Sequence, residues 1–147
     1  MQYFLIFLAF LCGAVFPTQA ALNSQMTKFV GHPVLAALLS FLSGLIGLSL
    51  YALIARLPLS SLLQAKNAPW YVWFAGLLGA FYISTVIVLI PRLGFALTFG
   101  LIVAGQMAIS LLFDHYGILH TPIREISVGR IVGALLLIAG VILIRKF

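Results

Sequence analysis

Five mostly apolar runs of about twenty residues each follow one another along the chain, and the segments between and after them carry nine of its ten charged residues. A transmembrane helix needs roughly 20 mostly apolar residues. Hydrophobic residues make up 64% of the 147 residues and charged residues 7%, a balance that excludes an ordinary water-soluble domain. The sequence therefore predicts an all-α fold, a polytopic membrane helix bundle with five transmembrane helices.

We expect a single transmembrane domain over residues 1–147. Its predicted helices cover about 3–22, 33–54, 70–90, 93–113 and 127–144. The segment PRLG at 91–94 is almost the whole connection between the third and fourth helices, which predicts an antiparallel hairpin. The first run ends in Thr-Gln-Ala, a tolerable signal-peptide cleavage site. Because no basic residue precedes its apolar core, we expect an uncleaved membrane helix instead.

The basic residues give the chain no preferred orientation in the membrane. Five spans place the termini on opposite sides, and each side then carries four basic residues. The N-terminal side holds Arg56, Lys66, Arg124 and Arg130, and the other side holds Lys28, Arg92, Arg145 and Lys146. Basic residues normally mark the cytoplasmic side, so this tie predicts insertion in both orientations. Their scatter at the ends of apolar runs also argues against a nucleic-acid partner.

Two oppositely inserted chains would be related by a two-fold axis in the membrane plane, as the inverted repeats of many transporters are. The odd number of helices and the lack of an internal repeat make one chain one half of an inverted-repeat transporter. The expected partner is a second copy, in an antiparallel homodimer, or an oppositely oriented paralogue. The other expected partners are membrane lipid and a small-molecule solute.

Polar side chains within the apolar runs are the candidate substrate-binding residues. Gln106, Ser110 and Asp114 fall within about 80° on one helix face, along about 12 Å. Gln19 and Asn23 are also one turn apart on the first helix. Since lipid cannot satisfy such groups, they should face a cavity or another helix. The complete set is Gln106, Asn23, Gln19, Ser110, Trp73 and Tyr82.

Each of these residues has a second interpretation. Gln106 and Asn23 either line a cavity or form hydrogen bonds between helices. Asp114 either has a proton- or substrate-linked role or pairs with Arg124 or Arg130, and the ion pair is the favoured interpretation. Small residues at helix-packing spacing predict close helix contacts at Ser40/Gly44, Ser43/Gly47, Gly76/Ala80 and Gly129/Gly133.

The sequence contains no recognisable catalytic or cofactor-binding pattern. The histidines, His32, His115 and His120, lie near predicted loops without metal-ligand spacing. No nucleophile–base pair, phosphate-binding loop or glycine-rich nucleotide fingerprint occurs. We therefore expect neither an enzyme, nor a metal site, nor a cofactor.

The chain resembles the YdcZ-like five-helix family of the drug/metabolite transporter superfamily over essentially its whole length. The matching segments are GAVFPTQAALN at 13–23, SFLSG at 40–44, WYVWFAGLLGAFY at 70–82, Gly105-Gln106 with Asp114 and Gly117, and Arg130 with Gly133 and Gly140. The resemblance implies a bacterial inner-membrane location. It also implies that such chains occur in dual topology, as oppositely oriented pairs or as fused double-length chains.

The expected function is transport of small organic solutes by an antiparallel, dual-topology dimer. The alternatives are a structural or regulatory membrane subunit and a passive channel. The four-helix small multidrug resistance branch of the superfamily carries a glutamate in its first helix for protons or cationic drugs. The first helix here has no acidic residue, which argues against proton or cation exchange of that type. Amides, hydroxyls and aromatic rings without a charge in mid-membrane favour neutral, zwitterionic or aromatic solutes.

Overall fold

The structure is a computed structural model that describes residues 1–147, except for the side chain of His120. It contains five long helices: α1 (Gln2–Val30), α2 (Pro33–Ile54), α3 (Phe74–Leu93), α4 (Phe95–Tyr116) and α5 (Val128–Lys146). Shorter 3₁₀ helices occupy Leu59–Asn67, Trp70–Trp73 and Ile118–His120. All five long helices are long and apolar enough to cross a membrane, the third span including the 3₁₀ turn that begins at Trp70. The predicted five-helix all-α fold is confirmed.

Helix α1 is longer than the sequence indicated. It was expected to end near residue 22, where polar residues begin, but it continues to Val30. It ends at Gly31, whose φ of 76° is left-handed and whose N–H donates to the Thr27 carbonyl at 2.8 Å. Its 29 residues span about 43 Å, more than the roughly 30 Å of a bilayer's hydrocarbon core. A helix of this length crosses the core with tilt or extends beyond it.

The turn between α1 and α2 consists of Gly31 and His32 only. His32 is the N-cap of α2, and its Nδ1 accepts a hydrogen bond from the Val34 N–H at 3.2 Å. Pro33 follows at the first helical position, where its missing N–H costs nothing and its fixed φ suits a helix. These local features start α2 directly after α1 and hold the two helices as a tight hairpin.

The contacts between Cα atoms divide the chain into an N-terminal unit, Met1–Leu89, and a C-terminal unit, Ile90–Phe147. In the N-terminal unit α1 packs along α2. The buried core of this unit consists of Ala36 and Ala37 from α2 with Ile83 and Ile87 from α3. These four side chains form the apolar contact between α2 and α3. The single-domain assignment stays a prediction.

In the C-terminal unit α4 packs along α5, and Gly100 of α4 lies against Val141 of α5. A Cβ atom added to Gly100 would lie 3.0 Å from Cγ2 of Val141, a residue of α5 that is itself buried. The glycines of the predicted small-residue pairs have no such neighbour, since an added Cβ would meet nothing within 4 Å at Gly44, Gly47, Gly76, Gly129 or Gly133. Within the described residues the glycines of those pairs are therefore not at close helix contacts. Spacing marks a face of small residues, but it does not say what covers that face.

Candidate functional site

A groove of about 740 Å³ runs between α1 and α2 and is lined by five of the polar side chains of these two helices. From α1 it is lined by Leu11, Ala14, Val15, Thr18, Gln19, Leu22, Asn23 and Met26, and from α2 by Ala36, Leu39, Ser40, Ser43 and Gly44. We call it the α1–α2 groove. Its walls are mainly hydrocarbon, and its polar atoms come from two amides and three hydroxyls. None of these lining side chains is charged.

Asn23 is the most buried polar residue of the groove, with 6% of its surface exposed. Its Nδ2 is out of contact with solvent and has no hydrogen-bond partner. Leaving a buried donor unsatisfied costs about 1–3 kcal/mol. The backbone carbonyl of Asn23 is satisfied, because Thr27 Oγ1 donates to it at 3.0 Å. Only the side-chain amide therefore lacks a partner.

Gln19 lies one helical turn before Asn23 on the same side of α1. Its Nε2 donates to Ser40 Oγ across the groove at 3.4 Å, beyond the usual 2.7–3.2 Å range for such bonds. Ser40 also accepts from α2 itself, where its backbone carbonyl takes the Ser43 hydroxyl at 2.8 Å. The structure thus brings the two predicted α1 residues together in one groove. Their link to α2 is a long and weak hydrogen bond.

The predicted aromatic residues are not in this groove. Tyr82 is partly buried beside the α2–α3 core and meets the ring of Phe16 edge to face, with centroids 6.1 Å apart and planes at 83°. Trp73 is 63% exposed on the 3₁₀ turn before α3. The neighbouring hydroxyls of Ser84 and Thr85 line a separate cavity of about 300 Å³, together with His32, Pro33, Val34 and Val88.

The polar residues of α4 face different surroundings along the predicted stripe. Gln106 and Ser110 are exposed, and among the hydrogen bonds of the described residues neither side chain takes part. Asp114, one turn further on, is partly buried and forms an ion pair with Arg130 at the start of α5. The stripe therefore ends in a satisfied charge but begins with an amide that no described side chain or backbone group binds.

The Asp114–Arg130 pair belongs to a network that fixes the loop between α4 and α5. Besides Asp114, the Arg130 guanidinium donates to the carbonyls of Arg124 at 2.9 Å and Glu125 at 3.4 Å. The Asp114 carbonyl in turn accepts from the Arg124 N–H at 2.7 Å. We call these four residues the α4–α5 junction. Because one arginine joins a side chain and two carbonyls, the junction holds the loop against both helix ends.

Two further side chains close the same loop. His115 Nδ1 accepts from the Ile126 N–H at 3.4 Å, and Thr121 Oγ1 donates to the Phe113 carbonyl at 3.1 Å, which caps the end of α4. Among the side chains that the structure describes, no three of His, Cys, Asp and Glu lie close enough together to hold a metal ion. The side chain of the third histidine considered in the sequence, His120, lies outside the described residues.

Sequence reasoning missed Ser40 and Thr18 as groove residues. The sequence indicates Ser40 only as one member of a small-residue pair, while the structure places its hydroxyl against Gln19. Thr18 lines the groove, but its hydroxyl donates to the Ala14 carbonyl at 3.1 Å within α1. The signal for Ser40 was weak, because a serine hydroxyl can instead donate to a carbonyl of its own helix, as Ser43 does.

Comparison with known proteins gives one match. The family model DMT_YdcZ, described as "Putative inner membrane exporter, YdcZ", matches residues 4–143. No curated protein and no solved structure is significantly similar to the chain. The matched range runs from the first turn of α1 into the last turns of α5, so it includes both the α1–α2 groove and the α4–α5 junction.

Proposed function

Since the chain belongs to the DMT_YdcZ family and is a multi-pass inner-membrane transport protein, we propose that it moves small organic solutes across the membrane as half of an antiparallel dimer. The α1–α2 groove of each chain is the solute-contacting surface in this proposal. The partner is a second copy inserted in the opposite orientation, and an oppositely oriented paralogue is the alternative partner.

The observation that carries the proposal is the unsatisfied amide of Asn23 in the groove. A residue kept only to join two helices would be expected to have its partner within the pair, whereas the Asn23 nitrogen has none. A polar group inside a membrane helix is costly, and such groups commonly mark solute or ion pathways. A half-turn of the amide about χ2 would bring this nitrogen to the other side of the side chain, where a ligand in the groove that accepts a hydrogen bond from it recovers the cost. This favours a binding role over a purely structural one.

The antiparallel arrangement is supported by the charge balance and by the exposed polar stripe of α4. Four basic residues on each side give no orientation signal. Gln106 and Ser110 have no hydrogen-bond partners among the described residues. This is expected of polar side chains whose partner is a second chain or a solute. In an antiparallel dimer the α4 stripe of one chain comes to the membrane face toward which Gln19 and Asn23 of the other point. The two chains together then line a polar path across the bilayer.

Transport is tested with a mixture of solutes, so that no single substrate has to be chosen. Liposomes containing the purified chain are loaded with a small-molecule extract of bacterial cells, and mass spectrometry follows which compounds leave. We expect a small set of compounds to leave only with the chain present, and Gln19→Ala to slow their loss at least tenfold. Gln25→Ala is the matched control, since Gln25 lies on α1 but does not line the groove. Equal rates for the two variants would remove the groove from the mechanism.

Orientation is tested with C-terminal reporters that signal on only one side of the membrane. We expect comparable signals from both sides for the unaltered chain. Gln64→Lys with Asn67→Lys adds two charges to the N-terminal side, and Arg56→Gln with Lys66→Gln removes two from the same side. These double variants should move the population in opposite directions. A reporter signal from one side only, in the unaltered chain, would contradict dual topology and require a paralogous partner.

A further inference from the structure

We propose that the α1–α2 groove binds uncharged solutes that carry an amide, or another group that both donates and accepts hydrogen bonds, on an apolar body. The inference rests on the proposed transport function and names the substrate class of its site. It follows from three properties of the groove: its hydrocarbon walls, its paired amides and its lack of charged side chains.

The walls of the groove select an apolar body. The long side chains that line it are hydrocarbon or thioether: Leu11, Val15, Leu22, Met26 and Leu39. Its volume of about 740 Å³ lies within the range of about 300–1,000 Å³ that is usual for small-molecule sites. A solute of one or two rings with a single polar substituent fits this space and covers the apolar walls. A sugar, whose hydroxyls point in all directions, would find few partners there.

The amides select a group that donates and accepts. The nitrogen and oxygen of the Asn23 amide exchange places by a half-turn about χ2, a torsion with broad, roughly two-fold preferences. Nδ2 is out of contact with solvent and has no protein partner, so a solute in the groove would reach this nitrogen only after such a half-turn. A solute amide can match whichever atom Asn23 presents. Gln19, one turn away, adds a second amide whose bond to Ser40 is long enough to be exchanged at little cost.

The absence of charge in the lining selects against ions. An ion placed between apolar walls loses its hydration, and the loss is offset only by a partner of opposite charge. No lining side chain of the groove is charged, and α1 contains no acidic residue along its length. An uncharged amide keeps its hydrogen bonds in such a groove without this penalty. Cations and anions of the same size should therefore bind much more weakly.

A lipid ester offers part of the same chemistry, since it joins a carbonyl acceptor to hydrocarbon. It differs in one respect, because an ester accepts hydrogen bonds but donates none. A probe series built on one ring separates the two sources. The probes are 4-fluorobenzamide, methyl 4-fluorobenzoate, 4-fluorotoluene, 4-fluorobenzoate and 4-fluorobenzylammonium. They share a ring and differ in whether the substituent donates, accepts or carries charge.

Binding is measured by fluorine NMR on the full chain in lipid nanodiscs, with empty nanodiscs as the baseline for partition into lipid. We expect 4-fluorobenzamide to bind saturably, to be displaced by unlabelled benzamide, and to bind at least tenfold more tightly than 4-fluorotoluene. The methyl ester should fall between them, and the two ions should not saturate. Asn23→Leu should weaken the binding of 4-fluorobenzamide about tenfold and leave the binding of 4-fluorotoluene unchanged. Gln25→Ala should change the affinity for neither probe.

Several results would overturn the proposal. One is tighter binding of either ion than of the amide; another is equal binding of amide and toluene, which would make the groove merely apolar. Ester binding as tight as that of the amide would assign the groove to lipid. No saturable binding by any probe, as expected of a groove filled by a second copy, would also refute it. If the extract assay shows Gln19-dependent export of charged compounds, the proposed transport function is supported and the proposed substrate class is wrong. If 4-fluorobenzamide binds but no compound leaves the liposomes, the proposed binding site is supported and the proposed transport function is wrong.

Discussion

The α1–α2 groove and the α4–α5 junction both place polar side chains in an otherwise apolar protein, but only the junction satisfies them. At the junction, Asp114 has an arginine, and that arginine has two carbonyls besides. In the groove, the Asn23 amide nitrogen has no partner and Gln19 has one long bond. The difference separates two uses of polar residues in membrane helices. Satisfied groups at a helix end fix the fold, and unsatisfied groups along a groove are available to a ligand.

The largest stability effect is expected at the junction. Asp114→Asn removes the charge that Arg130 faces and keeps the shape of the side chain. A hydrogen bond to a charged group contributes roughly 1.5–3 kcal/mol, and partial exposure of both side chains favours the lower end. We expect unfolding in mixed detergent micelles to become easier by about 1.5 kcal/mol. Arg130→Gln should cost more, because it also releases the carbonyls of Arg124 and Glu125.

Glu125→Gln is the control for this change. Glu125 is the only other acidic residue of the chain, it lies in the same loop, and its side chain is exposed. Its removal should have little effect on unfolding. Equal stability of the Asp114 and Glu125 variants would show that the ion pair does not hold the loop. If Asp114→Asn instead folds normally and loses only its response to a proton gradient, Asp114 belongs to the transport cycle and the contrast with the groove disappears.

The second prediction concerns the α1–α2 groove, where a substitution should raise the free energy of unfolding instead of lowering it. Asn23→Leu replaces an unsatisfied amide by a hydrocarbon side chain of similar size, so it removes the cost of the buried donor. We expect the variant to be more stable by about 1 kcal/mol while solute transport falls. Asn67→Leu, at an exposed asparagine that ends the 3₁₀ helix Leu59–Asn67, should bring no such gain. A loss of stability in Asn23→Leu would mean that the amide holds the helices together, and the groove would then resemble the junction.

The contrast between groove and junction also explains which features of the fold could be predicted from the sequence. Five spans follow from composition, because an apolar run of about 20 residues crosses the bilayer and satisfies its own backbone as a helix. The end of α1 was misplaced because Asn23 and its polar neighbours are typical of the start of a loop, although their side chains serve the helix: Thr27 bonds back to the Asn23 carbonyl. The true stop is Gly31, which provides the left-handed residue that ends the helix.

The candidate site was predictable only where its residues share one helix. Gln19 and Asn23 are one turn apart, so helical geometry places them on one face. Their neighbour Ser40 comes from α2, and no periodicity of either helix reports that contact. The Asp114–Arg130 pair was among the pairs expected, because few charges of opposite sign lie near one another in this chain. The role of Gln106 depends on what faces α4, which one chain's sequence does not specify.

The smallest predicted effect tests whether α4 and α5 are closely packed in the C-terminal unit. Gly100→Ala adds a methyl group 3.0 Å from Cγ2 of Val141, a β-branched and buried residue with little freedom to move. Gly133→Ala adds the same group to α5 where no heavy atom lies within 4 Å. Both changes bring the same gain in helix propensity, about 1 kcal/mol at most, so their difference isolates the contact. We expect Gly100→Ala to be less stable than Gly133→Ala by about 1 kcal/mol, the low end of overpacking costs.

Equal stabilities of the Gly100 and Gly133 variants would mean that the Val141 side chain moves aside and that α4 and α5 are not tightly packed. A larger loss at Gly133, seen only at protein concentrations where the chain is a dimer, would place the α5 face with Gly133 between two copies.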